Sequence, residues 1–188
     1  MYKKKETMKD HILEVKKLIP NHICKKIISY YSTGSQDAQI VAGVNKNIRN
    51  CKTTNMLNPS SFGQRIISNY VKSKIHEVVN SYKDRFPYLH IEKISQLDLL
   101  TYQSNKHKVG YDMHVDFGTK CENRHLSVTI GLNNEFQGGE FVFDLGNEKH
   151  QFPQNVGDCI IFPSNFMFPH SVNQITSGTR YALIGWVI

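Results

Sequence analysis

The feature that most constrains the fold is a change in hydrophobic periodicity at about residue 88. From there on, apolar and polar residues alternate in short runs, which is typical of strands with two different faces. Turn residues separate the runs, at Asn133-Asn134, Gly138-Gly139, Gly146-Asn147, Gly157-Asp158 and Ser177-Gly178. The predicted strands are Ser95–Tyr102, Tyr111–Asp116, His125–Leu132, Glu140–Asp144, Asp158–Phe162, Met167–Val172 and Arg180–Ile188. Many short strands at near-regular spacing predict a β-sandwich or barrel.

The first part of the chain has a helical pattern instead. Apolar residues recur at helical spacing over residues 8–19, and Pro20 follows as a stop. Asn21 can cap a second helix with one apolar side. The longest predicted helix begins at Pro59-Ser60-Ser61 and ends before Pro87.

Between the second helix and the longest one, residues 32–58 are polar and predict a long loop with one strand at Gln39–Gly43. Helices first and strands after, with the helices supporting one sheet, predict a single α+β domain over residues 1–188. Its helical support and loop would occupy residues 1–87, and its strand-rich core residues 88–188.

Composition limits the functional classes open to the chain. Its 188 residues are enough for one domain with a core, and 39% hydrophobic and 21% charged residues are typical of globular proteins. No apolar run is long enough to span a membrane, and the N-terminus does not resemble a signal peptide. The four scattered cysteines form no CxxC pair, so free thiols in a reducing cytoplasm are expected.

The net charge of +7 is unevenly distributed, because residues 1–26 contain eight lysines against three acidic residues. A basic helix there could contact nucleic acid or an acidic partner. No arginine is interleaved with these lysines, which favours a solvated face instead.

A His-x-Asp motif, His114-Val115-Asp116, carries the clearest chemistry. Residues two apart in a strand face the same side, about 7 Å apart, so both side chains can reach one ion. His170 lies in a later predicted strand that could neighbour the first. Two imidazoles and one carboxylate form the facial triad that binds non-haem Fe(II) and leaves three positions open. Such pairs also arise by chance, so the motif gains weight only from His170 and Arg180 downstream.

Arg180 begins the last predicted strand and shares one face with Ala182, Ile184 and Trp186. That face is apolar and therefore predicted to be interior, where an arginine is costly unless it meets an anion. The strand contains no acidic residue. A bidentate contact with the carboxylate of a co-substrate would satisfy Arg180, and an ion pair with a remote Asp or Glu is the alternative. A contact between Arg180 and a co-substrate carboxylate, together with the predicted triad, points to an oxygenase that uses iron and 2-oxoglutarate.

Residues 95–188 resemble the prolyl 4-hydroxylase-like branch of the Fe(II)/2-oxoglutarate dioxygenases. The resemblance lies in an ordered set of elements: Leu99-Leu100-Thr101-Tyr102, Gly110-Tyr111-Asp112-Met113-His114-Val115-Asp116, Leu132-Asn133, Gly138-Gly139-Glu140-Phe141, Gly157-Asp158, Phe162-Pro163, His170-Ser171-Val172 and Gly178-Thr179-Arg180-Tyr181. The complete set is specific, whereas each element alone is weak.

This resemblance implies a double-stranded β-helix (jelly-roll) whose major sheet is supported by the N-terminal helices. It also implies that His114, Asp116 and His170 hold Fe(II). The implied reaction consumes O2 and converts 2-oxoglutarate to succinate and CO2 while an unactivated C–H bond is hydroxylated. Ascorbate is an optional reductant.

For 2-oxoglutarate, the resemblance implies that Arg180 and Tyr102 bind the distal carboxylate, with Thr129 as a weaker candidate. Trp186 is expected near the metal or as core filler. Gly131 occupies a position where the oxygen-sensing members carry an aromatic residue, so either a looser co-substrate pocket or a larger role for Tyr102 is expected.

A peptidyl proline is the first expected substrate, and a small molecule or another side chain is the alternative. Residues 38–59 have the length of a lid, with Arg49, Asn50 and Lys52 as contacts, although a passive loop is equally open. Many collagen-type members carry Lys in place of Arg180, so the substrate need not resemble collagen. Nucleic-acid demethylases carry a second Arg where this chain has Trp186, which argues against that branch. A non-catalytic, metal-retaining binding module is the remaining alternative.

Overall fold

The computed structural model describes residues 7–40, 43–104, 107–118, 121–146 and 148–188. Within these ranges, two helices, α1 (Asn21–Tyr31) and α2 (Phe62–Arg85), and a short 3-10 helix at Met8–His11 accompany twelve strands. The strands are β1 (Leu13–Val15), β2 (Gln36–Asp37), β3 (Lys52–Asn55), β4 (Ile94–Gln103), β5 (Tyr111–His114), β6 (Leu126–Gly131), β7 (Phe136–Gly138), β8 (Phe141–Asp144), β9 (Lys149–Phe152), β10 (Cys159–Pro163), β11 (His170–Val172) and β12 (Ile175–Val187).

The strands form two antiparallel sheets. The major sheet has the order β1-β10-β6-β12-β4-β3-β2, with β7 also paired to β12. The minor sheet has the order β5-β11-β8-β9. Two antiparallel sheets with helical support confirm the predicted α+β jelly-roll.

Apolar side chains fill two layers, one on each face of the major sheet. The outer layer joins both helices to the sheet through residues such as Ile27, Val71, Ile75, Leu97, Val128 and Leu183. The inner layer lies between the two sheets and includes Tyr102, Phe141, Phe143, Phe162, Ile184 and Trp186. Since β4, β10 and β12 contribute to both layers, these strands are buried on both faces, and side chains on their inner face point toward the minor sheet.

Helix α2 has the start and the end that the sequence predicts. The Ser61 hydroxyl caps it by accepting a hydrogen bond from the Gln64 N–H at 3.2 Å. Its apolar stripe is buried against the sheet, and the helix ends at Arg85, two residues before Pro87. This helix therefore supports the major sheet as expected.

The predicted helix over residues 8–19 is wrong. After the 3-10 turn at Met8–His11 the chain becomes β1 and pairs with β10, with Leu13 opposite Ile161. A helix here would leave the edge of β10 without backbone partners, whereas the β-branched residues of this segment suit a strand. Helix α1 begins at Asn21, so Pro20 rather than Asn21 is the N-cap.

The interpretation of residues 32–58 as one loop with a strand at Gln39–Gly43 is also wrong. The segment contains β2 and β3, which extend the major sheet beyond β4. Ile40 and Gly43 form only an isolated bridge, and residues 41–42 lie outside the described residues, as do residues 1–6 of the basic stretch and Asn147 of one predicted turn. Strands β7 and β9 were not predicted, because they are short and carry no clear alternation.

No helix in the described parts of the chain combines the length and the apolar character needed to cross a membrane.

Candidate active site

Three potential metal ligands converge at one end of the minor sheet. His114 ends β5 and His170 begins β11, and the two are cross-strand partners. The carboxylate of Asp116 lies between their rings, with Oδ1 3.6 Å from His114 Nε2 and Oδ2 3.6 Å from His170 Nε2. One ligand atom from each residue lies within 4.8 Å of the other two, which is close enough for all three to bind one ion.

Asp116 reaches this position by a different route from the predicted one. Strand β5 ends at His114, so alternation along a strand does not align His114 with Asp116. The chain turns instead, and the Ser127 hydroxyl of β6 donates a hydrogen bond of 2.6 Å to Asp116 Oδ2. The Phe117 N–H also binds the Ser164 carbonyl oxygen. The major sheet therefore holds the carboxylate that joins two histidines of the minor sheet.

Backbone carbonyls orient both imidazoles. His114 Nδ1 lies 2.7 Å from the Asp112 carbonyl oxygen, and His170 Nδ1 lies 3.0 Å from the Phe168 carbonyl oxygen. A protonated Nδ1 that donates to a carbonyl leaves Nε2 as the lone-pair nitrogen. Both Nε2 atoms face Asp116, so the rings present metal-binding nitrogens to one point.

Electrostatics favour the protonation states that metal binding requires. Burial, reinforced by the nearby His170, lowers the pKa of His114 to about 3, so this imidazole is neutral at neutral pH. Burial alone would raise the pKa of Asp116, but the two histidines and the Ser127 hydroxyl outweigh it and hold that pKa below its usual value. A neutral imidazole and an ionised carboxylate can bind a divalent metal without losing protons first.

Arg180 lies deep in the same cavity. It is opposite Tyr102 in the pairing of β12 with β4, is 3% exposed, and places its guanidinium 5.3 Å from the centroid of the Tyr102 ring. Among the described residues, no carboxylate lies within 4 Å of it. Its Nη2 donates to Gln154 Oε1 at 2.6 Å, and burial lowers its pKa. The remote ion pair weighed as the alternative is therefore absent from the described parts of the chain.

Gln154 is the site residue that the sequence analysis missed. Its Nε2 donates to the Thr129 hydroxyl at 3.0 Å, so one amide joins Thr129 to Arg180. A Cβ on Gly131 would lie 2.9 Å from the Gln154 carbonyl oxygen, which means that the glycine lets this loop approach. Of the two expectations for this position, the structure does not have the looser pocket, because Gln154 fills the space beside Gly131. An isolated glutamine between strands gives no sequence signal for this contact.

Trp186 forms part of the wall of the metal cavity and is buried, and its Nε1 has no hydrogen-bond partner among the described residues. The guanidinium of Arg124 stacks on its ring, 3.6 Å from the centroid, and donates to the Asp116 carbonyl oxygen and to Gln96. Trp186 is therefore close to the predicted metal ligands.

Comparison with known proteins agrees with this geometry. Residues 98–188 match the family model described as "2OG-Fe(II) oxygenase superfamily". A PKHD-type hydroxylase of Prochlorococcus marinus (strain AS9601) is 34% identical over 91 residues, which are 47% of this chain and 40% of the relative. The chain thus spans well under half the length of the curated relatives it matches.

Solved structures with the same fold cover nearly the whole chain. A prolyl hydroxylase from Trichoplax adhaerens, in complex with a peptide from the oxygen degradation domain of hypoxia inducible factor, aligns with a TM-score of 0.82. It is 17% identical and covers 95% of this chain and 83% of its own. A Pseudomonas putida prolyl-4-hydroxylase aligns with a TM-score of 0.74 at 16% identity over 94% and 91% of the two chains.

Proposed function

We propose that this chain, whose residues 98–188 match the model of the 2OG-Fe(II) oxygenase superfamily, is a prolyl hydroxylase-like, 2-oxoglutarate-dependent oxygenase. The single observation that carries this proposal is the convergence of His114, Asp116 and His170 in one cavity with the buried Arg180. A metal-binding triad and an unpaired cation in the same cavity suit a metal-chelating dicarboxylate.

His114, Asp116 and His170 fit Fe(II) by the chemistry of their donors. Two imidazole nitrogens and one carboxylate form a facial set that favours non-haem Fe(II) over thiolate-preferring ions. Their hydrogen bonds to Asp112, Phe168 and Ser127 provide the outer shell that such ligands require. When bound, the metal activates O2 and couples decarboxylation of 2-oxoglutarate to hydroxylation of an unactivated C–H bond.

The residues around the metal site would bind and orient the co-substrate. Arg180 would exchange its bond with Gln154 for the distal carboxylate of 2-oxoglutarate, with Tyr102 and Thr129 lining the same part of the cavity. Apolar side chains, among them Ile184 and Trp186, would exclude water from the reaction. The products are succinate, CO2 and the hydroxylated substrate, with ascorbate as an optional reductant.

We propose a peptidyl proline in a peptide or protein as the first substrate class. Two observations support this class: a solved structure with the same fold is a prolyl hydroxylase in complex with a peptide, and a cavity of about 410 Å³ lies beside Asp116 and Trp186. A small molecule or another side chain is the second candidate. Nucleic acid is not favoured, since Trp186 stands where a demethylase would need its second arginine.

We also propose that residues 1–188 act as one domain. Strands β1 and β3 pair with β10 and β4, so the first half completes the sheet of the second. We further propose a cytoplasmic location. The support is that all four cysteines are free thiols, as expected in a reducing compartment.

The proposal is tested by binding 2-oxoglutarate under nitrogen with Mn(II) as an inert substitute for Fe(II). Wild-type protein is expected to bind 2-oxoglutarate only with the metal. His114→Ala and Asp116→Ala are expected to lose metal binding and metal-dependent 2-oxoglutarate binding while keeping the far-ultraviolet circular dichroism of the fold. Metal-dependent binding that survives in a folded Asp116→Ala protein would contradict the assignment.

A further inference from the structure

Arg49 is a second buried arginine at the active site, and its backbone is fixed against the strand that carries a metal ligand. It forms an isolated bridge with Tyr111 of β5, and its own N–H binds the Asn45 carbonyl oxygen. The next residue, Asn50, binds Gly110 through its N–H and Lys108 through its side chain. The segment that presents Arg49 is therefore tied to β5 at several points.

The side chain of Arg49 has no acidic partner among the described residues. It is 8% exposed, and a guanidinium has five N–H donors. Nη1 donates to the Gln39 carbonyl oxygen at 3.0 Å, whereas Nε has no partner among the described residues. Within the described ranges no carboxylate lies within 4 Å of the guanidinium, which instead lies 4.8 Å from the centroid of the Tyr111 ring.

The Tyr111 ring connects Arg49 to the metal site. It stacks on the His114 imidazole, with centroids 3.4 Å apart and planes 18° apart. Arg49, Tyr111 and His114 therefore form a continuous stack that ends at a predicted metal ligand. The Tyr111 ring, which contacts both residues, thus places a positive charge close to the metal site.

Three cavities meet at Arg49. The first contains the predicted metal triad, the second is the cavity of about 410 Å³ beside Phe117 and Arg124, and the third, of about 240 Å³, runs past Asp37 and Asp98. Arg180 borders only the first of these. Arg180 thus lines the metal cavity alone, whereas Arg49 lines the metal cavity and both wider cavities beside it.

We propose that Arg49 binds a carboxylate of the substrate that is hydroxylated, an inference that rests on the proposed function and deepens it. A buried guanidinium without an anionic partner is costly, and a carboxylate would occupy two of its donors in a bidentate contact. Arg49 would therefore select a substrate whose target C–H bond lies close to an acidic group. That group is either the α-carboxylate of a free amino acid or an acidic side chain next to the target residue.

The chain offers its own reporter for this binding. Trp186 is its only tryptophan and lines both the metal cavity and the second cavity. Its fluorescence is titrated under nitrogen in Mn(II)-loaded protein, with and without 2-oxoglutarate. Two pairs of probes differ only in the charged group: L-proline against L-prolinamide, and N-acetyl-prolyl-glutamyl amide against its glutaminyl counterpart. The first pair tests a free amino acid and the second an acidic side chain.

In wild-type protein, the acidic member of one pair is expected to bind about ten- to 100-fold more tightly than its neutral counterpart. Arg49→Gln should reduce this preference to less than about twofold. Arg49→Lys keeps the charge without the planar fork and should show an intermediate preference. Arg65→Gln removes an exposed arginine from α2 and should retain the wild-type preference. Thermal unfolding checks that each variant is folded.

Equal affinity for both members of both pairs in wild-type protein would overturn the proposal, as would no binding of any probe or a preference that survives in folded Arg49→Gln. A loss of 2-oxoglutarate affinity in Arg49→Gln as large as that in Arg180→Gln would also overturn it, because Arg49 would then bind the co-substrate. If wild-type protein fails to bind 2-oxoglutarate, the proposed function is refuted. The preference of Arg49 for the acidic probes is tested separately, by the titrations without 2-oxoglutarate.

Discussion

Replacing Arg180 with glutamine tests whether this residue anchors the co-substrate. The side chain is 3% exposed, so solvent screens its contacts little. A charge-assisted hydrogen bond contributes about 1.5–3 kcal/mol, but binding must first break the 2.6 Å bond to Gln154, a neutral acceptor that contributes about 1 kcal/mol. The net loss in Arg180→Gln is therefore about 0.5–2 kcal/mol, which corresponds to a 2-oxoglutarate affinity weaker by about two- to 30-fold.

The assay is isothermal titration calorimetry of 2-oxoglutarate into Mn(II)-loaded protein under nitrogen. Arg65→Gln is the matched control, because it makes the same chemical change at an exposed position of α2. Mn(II) affinity should be unchanged in both variants, since neither residue is a predicted ligand. An Arg180→Gln protein that is folded, binds Mn(II) and keeps the wild-type 2-oxoglutarate affinity would refute the reasoning.

Three further predictions follow from hydrogen bonds around the site and at the sheet edge. Ser127→Ala removes the 2.6 Å bond to Asp116 and should weaken Mn(II) binding about ten- to 100-fold, measured by competition with a chelator; an unchanged affinity would contradict this role. Gln154→Ala leaves Arg180 without its partner, so the ligand-free protein should lose about 1–3 kcal/mol of stability. Binding of 2-oxoglutarate should then raise the melting temperature of this variant more than that of wild-type protein. The same increase in both proteins would contradict the role of Gln154. Asp158 accepts from the Lys17 N–H and has a lowered pKa, so its stabilisation is present above its unfolded pKa of about 3.9 and is lost as the pH falls through the lower folded value. Asp158→Asn should flatten the acid limb of a plot of unfolding free energy against pH, and an unchanged limb would count against the contact.

The sequence predicted the strand-rich core because its alternation is long and its turn residues are regular. The residues His114, Asp116, His170 and Arg180 were identifiable for a different reason, since few chemistries use those residue types in that order. The structure brings all four into one cavity. The predicted reason for the position of Asp116 was nevertheless wrong, because its alignment depends on a contact with Ser127 from another sheet.

Hydrophobic spacing within one segment predicted the wrong secondary structure where pairing with a distant strand decides the conformation. Residues 8–19 have helical spacing, yet the edge of β10 recruits Leu13–Val15 as a strand. The short strand β3 likewise forms because β4 offers it an edge, and β2 in turn pairs with β3. A pattern within one segment contains no information about which distant strand lacks a partner.

Long-range contacts also explain the missed parts of the site. Gln154 approaches Arg180 only because Gly131, 23 positions earlier in the chain, has no side chain to block its loop. Arg49 was predicted only as one of several loop contacts, and its burial against Tyr111 could not be inferred without the fold.

The central claim is that this site couples 2-oxoglutarate turnover to hydroxylation of a proline-containing substrate. The most direct measurement binds Fe(II) and 2-oxoglutarate anaerobically, admits O2, and quantifies succinate with and without proline-containing peptides, acidic and neutral. The account predicts metal-dependent succinate that rises with a particular peptide, in step with its hydroxylated product, and none from Asp116→Ala. Wild-type protein that forms no succinate with Fe(II), 2-oxoglutarate and O2 would contradict the account.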